Sequence, residues 1–157
     1  MHFSMIASIP LLFLSTLTSA APTAIPAAME ASASTSTSTQ IYYLVNCFNN
    51  KTFAAYAEAD YYPNKSLSLA GQKPSKTAVL NPSGSIDYED GTWTATTPFK
   101  LTAVIGEDAY TAKAGTVVGS ATVSTSSSSL SCVRLERFVL YQPNAEEQCY
   151  TDYACQA

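Results

Sequence analysis

Four cysteines, Cys47, Cys132, Cys149 and Cys155, constrain this 157-residue chain more than any other feature. An even number, none in a C-x-x-C pair, is read as two disulfides when the chain enters an oxidising compartment. Zinc is the competing use of cysteine, and the spacing disfavours it, because no histidine lies among them to complete a site. Four cysteines allow three pairings. An extended strand from Cys149 to Cys155 holds those two ~20 Å apart, too far for a bond. A two-residue turn at Pro143-Asn144 sets Tyr141 opposite Glu146. On the same register Cys132 faces Cys155, which leaves Cys47 for Cys149. The charges of Arg134-Leu135-Glu136-Arg137 compete with this register, since a turn there breaks it and leaves the pairing open.

The oxidising compartment is itself read from the first residues. Residues 1–20, MHFSMIASIPLLFLSTLTSA, carry an apolar core and then Thr18-Ser19-Ala20, the layout of a secretory signal peptide cleaved after Ala20. The apolar stretch is too short for a membrane anchor and is interrupted by Pro10. The expected product is extracellular, with no membrane attachment after removal of the leader. Residues 21–40 are rich in Ala, Ser and Thr and poor in large apolar groups, so they are read as a disordered spacer or pro-segment. Residues 41–157 form the expected folded domain.

Cleavage also removes His2, the sole histidine. Ser-His-Asp and Cys-His nucleophiles and His-based ribonuclease chemistry are then excluded. The whole chain has 8 basic and 12 acidic residues. Such a balance shows no basic patch for nucleic acid.

Within 41–157 the patterning is that of strands. Ile41-Tyr42-Tyr43-Leu44-Val45 is β-branched and aromatic, Phe99–Ile105 begins by alternating, and Thr116–Val123 places Val117, Gly119, Ala121 and Val123 on one face. Phe53–Tyr62 sets Ala55, Ala57, Ala59 and Tyr61 against Tyr56, Glu58, Asp60 and Tyr62. Its alanines suit a helix, but period two makes it a strand. Turn signals separate the runs at Pro63-Asn64, Gly71-Gln72, Pro82-Ser83-Gly84, Asp90-Gly91 and Pro143-Asn144. The expected fold is all-β, a compact antiparallel sandwich or barrel stabilised by two disulfides.

Chemistry is thinly marked. Glu58 and Asp60 share a strand face, about 7 Å apart, and could serve a two-carboxylate glycosidase; the simpler reading makes both solvent-facing. Asp87-Tyr88-Glu89-Asp90-Gly91 lacks the spacing of a calcium loop and is read as an exposed acidic turn. No catalytic residue, metal or cofactor is assigned. Asn50-Lys51-Thr52 and Asn64-Lys65-Ser66 are N-glycosylation sequons, so exposed loops are expected at Asn50 and Asn64. The doublets Tyr42-Tyr43 and Tyr61-Tyr62 must put one ring on each face of a strand, so a ring of each is expected to be exposed. Tyr42, Tyr62 and Trp93 are the aromatics singled out for binding.

Tyr43-Leu44-Val45-Asn46-Cys47, Tyr61-Tyr62 followed by Gly71-Gln72-x-Pro74, a central Trp93, and Cys149-Tyr150-x-x-Tyr153-x-Cys155 together resemble small secreted cysteine-containing proteins of filamentous fungi. The resemblance spans 41–157 and implies a compact β fold, secretion and an effector-like role, with no catalytic residues to carry over. In size and setting the chain is more distantly similar to the secreted β-barrels typified by the major Alternaria allergen, with different cysteine spacing. The expectation is a non-enzymatic secreted protein that binds a protein or glycan at a host or cell-wall surface. The alternatives are a carbohydrate-active enzyme with paired carboxylates and a structural cell-wall protein.

Overall fold

The structure is a computed structural model and describes residues 39–124 and 129–157. The leader expected over 1–20, and the spacer up to residue 38, lie outside the described residues. From Thr39 the chain is tied down at once: the Thr39 carbonyl accepts from the Lys65 amide at 3.0 Å, and its hydroxyl donates to the Pro63 carbonyl.

Eight strands follow: β1 (Ile41–Asn49), β2 (Ala55–Tyr62), β3 (Lys76–Asn81), β4 (Gly91–Ala95), β5 (Leu101–Ile105), β6 (Val117–Val123), β7 (Ser129–Asn144) and β8 (Glu147–Gln156). They form one antiparallel sheet in the order β3-β2-β1-β8-β7-β6-β5-β4. The edges β3 and β4 approach one another, so the sheet curls into a nearly closed barrel. The first and last strands are neighbours in the middle of the sheet. A short helix, α1 (Lys65–Leu69), follows Pro63-Asn64, where the sequence suggested only a turn. Asn64 starts it by accepting from the Ser66 amide at 3.0 Å, an N-cap that local periodicity over five residues cannot reveal.

Both disulfides are formed, Cys47–Cys149 and Cys132–Cys155, and each joins directly opposed residues of adjacent strands. The β7–β8 turn, however, lies at Ala145-Glu146, with Asn144 opposite Glu147 and Tyr141 opposite Cys149. The register slips at three places along β7, one of them between Arg134 and Phe138. The charged run is therefore a bulge inside a continuous strand. These bulges absorb the displaced turn and bring Cys132 back opposite Cys155, and they also coil the hairpin strongly.

The barrel interior pairs small residues with large ones. Ala57, Ala59, Ala78, Ala95, Ala103 and Ala121 leave room for Tyr42, Tyr88, Phe99 and Tyr153. Gly119 belongs to the same economy of space, since a Cβ there would collide with the Val104 carbonyl oxygen of the neighbouring strand. A second core lies on the outer face of β1 and β2. There Ile41, Tyr43, Val45, Cys47 and Tyr62 pack against Leu140, Tyr141 and Cys149 of the β7–β8 hairpin and against Leu67 of α1. Lys73 fastens the hairpin tip by donating to the Pro143 carbonyl at 2.9 Å.

Because β1 and β2 are covered on both faces, the expectation of an exposed ring in each tyrosine doublet fails. Tyr42, Tyr43 and Tyr62 are all buried, and Tyr61 is half-buried.

Asn46 is the clearest long-range clamp. Its amide donates to the Ile86 carbonyl at 2.9 Å and its oxygen accepts from the Ile86 amide at 2.8 Å, which fixes the loop between β3 and β4 to β1. Asn46→Ala leaves two half-buried backbone groups unpaired, and the expected loss is about 2–3 kcal/mol, read as a lower urea midpoint at unchanged m. A midpoint equal to wild type contradicts the clamp.

Candidate functional site

Two places gather chemically capable side chains. The first is the pair Glu58 and Asp60. Alternation along β2 puts both on the outer face, opposite Val45 and Tyr43 of β1, and the second core closes over them. Glu58 is 3% exposed and Asp60 0%, so the expectation of a solvent-facing pair is overturned. The cause is the overhanging β7–β8 hairpin. Tyr141 donates its hydroxyl to Glu58 Oε1 at 2.5 Å, and Thr77 donates to Asp60 Oδ1 at 2.9 Å. Asp60 Oδ2 is buried and meets no protein donor.

Burial pushes the Asp60 carboxyl well above the usual carboxylate range, and the neighbouring Glu58 charge pushes it further. Burial also raises Glu58, opposed by the Tyr141 hydrogen bond. The two carboxyls also act on one another, in the direction that raises Asp60 and lowers Glu58 and so favours the proton on Asp60. Burial and the nearby acids raise Tyr141 as well, so it stays a neutral donor. Cys47, Cys149 and Glu58 bring possible ligand atoms within 4.8 Å of one another, but both sulfurs are bound in the disulfide and offer no thiolate.

The second place is a cavity of about 330 Å³ lined by the start of β3, the loop between β4 and β5, and the beginning of β1. Tyr42, Tyr61 and Phe99 meet there. The Tyr42 ring lies 5.0 Å from that of Tyr61 and 5.6 Å from that of Phe99, with Tyr61 and Phe99 at 6.3 Å. Strand register makes the first contact, because Tyr42 and Tyr61 are directly opposed on β1 and β2. The loop carrying Pro98 from β4 to β5 brings in Phe99 from the other side. Gln40, Thr96 and Ser124 add polar groups, and Lys76 and Lys100 complete the lining. Tyr42 is the one aromatic singled out in the sequence that reaches this cavity.

The other marked residues are placed elsewhere. Tyr62 is fully buried in the second core and donates to the Gln72 carbonyl at 2.8 Å, so its ring is a packing element. Trp93 is half-buried against Tyr88 and donates its indole N–H to the Tyr88 carbonyl at 2.9 Å. Asn50 and Asn64 both lie on exposed loops at the two ends of β2. The acidic turn contributes Asp87 and Glu89 to a shallow hollow with Glu107 and Tyr110. Glu89 there accepts from Tyr153, and although partial burial raises its carboxyl, the neighbouring Asp87 and the Tyr153 hydroxyl hold it below the usual range.

Phe99, Lys76 and Lys100 were not anticipated, and Tyr61 was marked only as a member of its doublet. The two doublets, Tyr42-Tyr43 and Tyr61-Tyr62, held the signal for Tyr61, since paired strands align them. The lysines carried none, because closure of the barrel is what brings β3 beside the β4–β5 loop.

No family model, curated protein or solved structure matches the chain. No helix among the described residues is long and apolar enough to cross a membrane. Two disulfides suit an oxidising compartment.

Proposed function

We propose that this is a secreted, non-enzymatic binding protein, effector-like in the manner of the small fungal proteins it resembles, and that it holds a glycan in the Tyr42–Tyr61–Phe99 cavity at a host or cell-wall surface. The observation that carries this reading is an open cavity in which the half-exposed Tyr61 ring is backed by the buried rings of Tyr42 and Phe99, with amide, hydroxyl and lysine side chains in the lining. Aromatic faces pack on the apolar faces of sugar rings while polar groups bond the hydroxyls. The cavity lies at the small end of the ~300–1,000 Å³ range of ligand sites, a size suited to a few rings of an extended glycan rather than to a folded partner.

The glycosidase alternative has less support. Two carboxyls working on a glycosidic bond stand ~5–10 Å apart and flank an open cleft, whereas Glu58 and Asp60 are both buried beneath the second core.

A glycan array probed with the secreted chain tests the binding reading. Tyr61→Ala removes the half-exposed ring without emptying the core, and is expected to weaken any bound glycan about tenfold, or ~1.4 kcal/mol. Titration calorimetry reads the change. Undiminished binding by this variant removes the cavity as the site.

A further inference from the structure

We infer that the glycan taken by this cavity is anionic, with a ring carboxylate seated between Lys76 and Lys100. The inference rests on the glycan reading of the site and names its chemistry.

Lys76 begins β3 and Lys100 immediately precedes β5, so the two come from opposite sides of the barrel seam. Acidic residues outnumber basic ones in the chain, 12 to 8, yet no acidic residue lines this cavity among the described residues. Four of the six cations elsewhere are partnered, Lys51 with Glu146, Arg134 and Arg137 with Asp152, and Lys73 with the Pro143 carbonyl; Lys65 and Lys113 stand apart from the cavity. Among the described residues, Lys76 and Lys100 make no ion pair and no side-chain hydrogen bond. Two like charges brought to one small cavity repel, and an anion between them reverses the sign of both interactions.

The class of anion follows from the other lining residues. Lysine is a point charge on a flexible stem and sets no preference between carboxylate and phosphate, so the neighbouring side chains decide. Beside it lie the half-exposed Tyr61 ring for a sugar ring, and Gln40, Thr96 and Ser124 for hydroxyls. A six-membered sugar ring bearing a carboxylate offers all three features at once, as in a uronic acid unit.

The test uses the full secreted chain and two probes, a tetramer of galacturonic acid and its full methyl ester. These differ in charge and hardly in ring shape. The acid is expected to bind at least about tenfold tighter at low salt, with the advantage shrinking as salt screens the lysines. Lys76→Gln and Lys100→Gln should each remove most of that advantage and leave the ester unaffected. Lys113→Gln, outside the cavity, should change neither. Equal or tighter binding of the ester overturns the anionic inference while leaving the glycan reading intact. Failure of both probes overturns it too, and array binding of a neutral glycan that is lost in Tyr61→Ala then shows that the reading beneath it survives. A salt-sensitive preference for the acid that both lysine variants retain also overturns it.

Discussion

Replacing Cys47 and Cys149 together by alanine is expected to cost about 4.7 kcal/mol, against about 3.4 kcal/mol for Cys132 and Cys155. The difference comes from the loops each bond closes, with sequence separations of 102 and 23. A longer loop removes more freedom from the unfolded chain, so its bond stabilises the fold more. Topology sharpens the contrast. Cys47 lies on the first strand and Cys149 on the last, and these are adjacent in the sheet. The Cys132–Cys155 bond instead sits within the β7–β8 hairpin, whose partners a local turn already brings together. A domain of this size has only ~5–15 kcal/mol in hand, so the first double variant should be marginal at body temperature and the second folded. Urea unfolding of both variants beside wild type reads the order. An equal or reversed order denies the chain-entropy account.

The disulfide framework, the all-β class and the strand character of residues 41–45, 55–62, 101–105 and 117–123 were legible from residue types and period two. What was not legible has one physical root. Alternation shows that a strand has two different faces, but not what covers each. Along β2 the alanines do face the barrel interior, as small residues packed against large aromatics should. The opposite face, Tyr56-Glu58-Asp60-Tyr62, carries two acids and so resembled a wet surface. It is buried because β7 takes more residues than β8 over the same span and coils the hairpin back over β1 and β2. That coiling depends on bulges at positions such as Arg134–Phe138, where three charges suggested a turn. The cavity was invisible for a related reason. Tyr42 and Tyr61 could be paired by register, but Lys76, Phe99 and Lys100 meet them only when the sheet closes.

Asp60→Asn is expected to make the protein more stable at neutral pH and to flatten its dependence on pH. In the folded state burial raises Asp60 well above its ordinary value, and Glu58 is raised with it. The folded chain therefore holds protons that the unfolded chain releases from about pH 4 upward. Groups raised in this way contribute their stability fully below the unfolded value and lose it as pH climbs through the folded one. Wild type should accordingly weaken from about pH 4 towards neutrality, opposite to proteins whose carboxylates are salt-bridged. Asparagine keeps the shape of the side chain. Its oxygen still accepts from Thr77, and its amide N–H₂ stands where Oδ2 meets no protein donor, a permanent donor for the neighbouring Glu58. Glu58 keeps the Tyr141 hydroxyl as well, so one buried carboxylate retains two donors and needs no shared proton. Tyr56, Tyr62 and Tyr141 around the pair are all raised by burial and stay neutral throughout this range. Glu147, the other acid acting on Glu58, raises it and so adds to the same trend. The gain at pH 8 should be about 1–3 kcal/mol, shrinking towards pH 4 where wild-type Asp60 is protonated anyway. Urea midpoints across that range measure it. A variant weaker than wild type at pH 8, or one that keeps the wild-type slope, shows that the proton does not reside on Asp60.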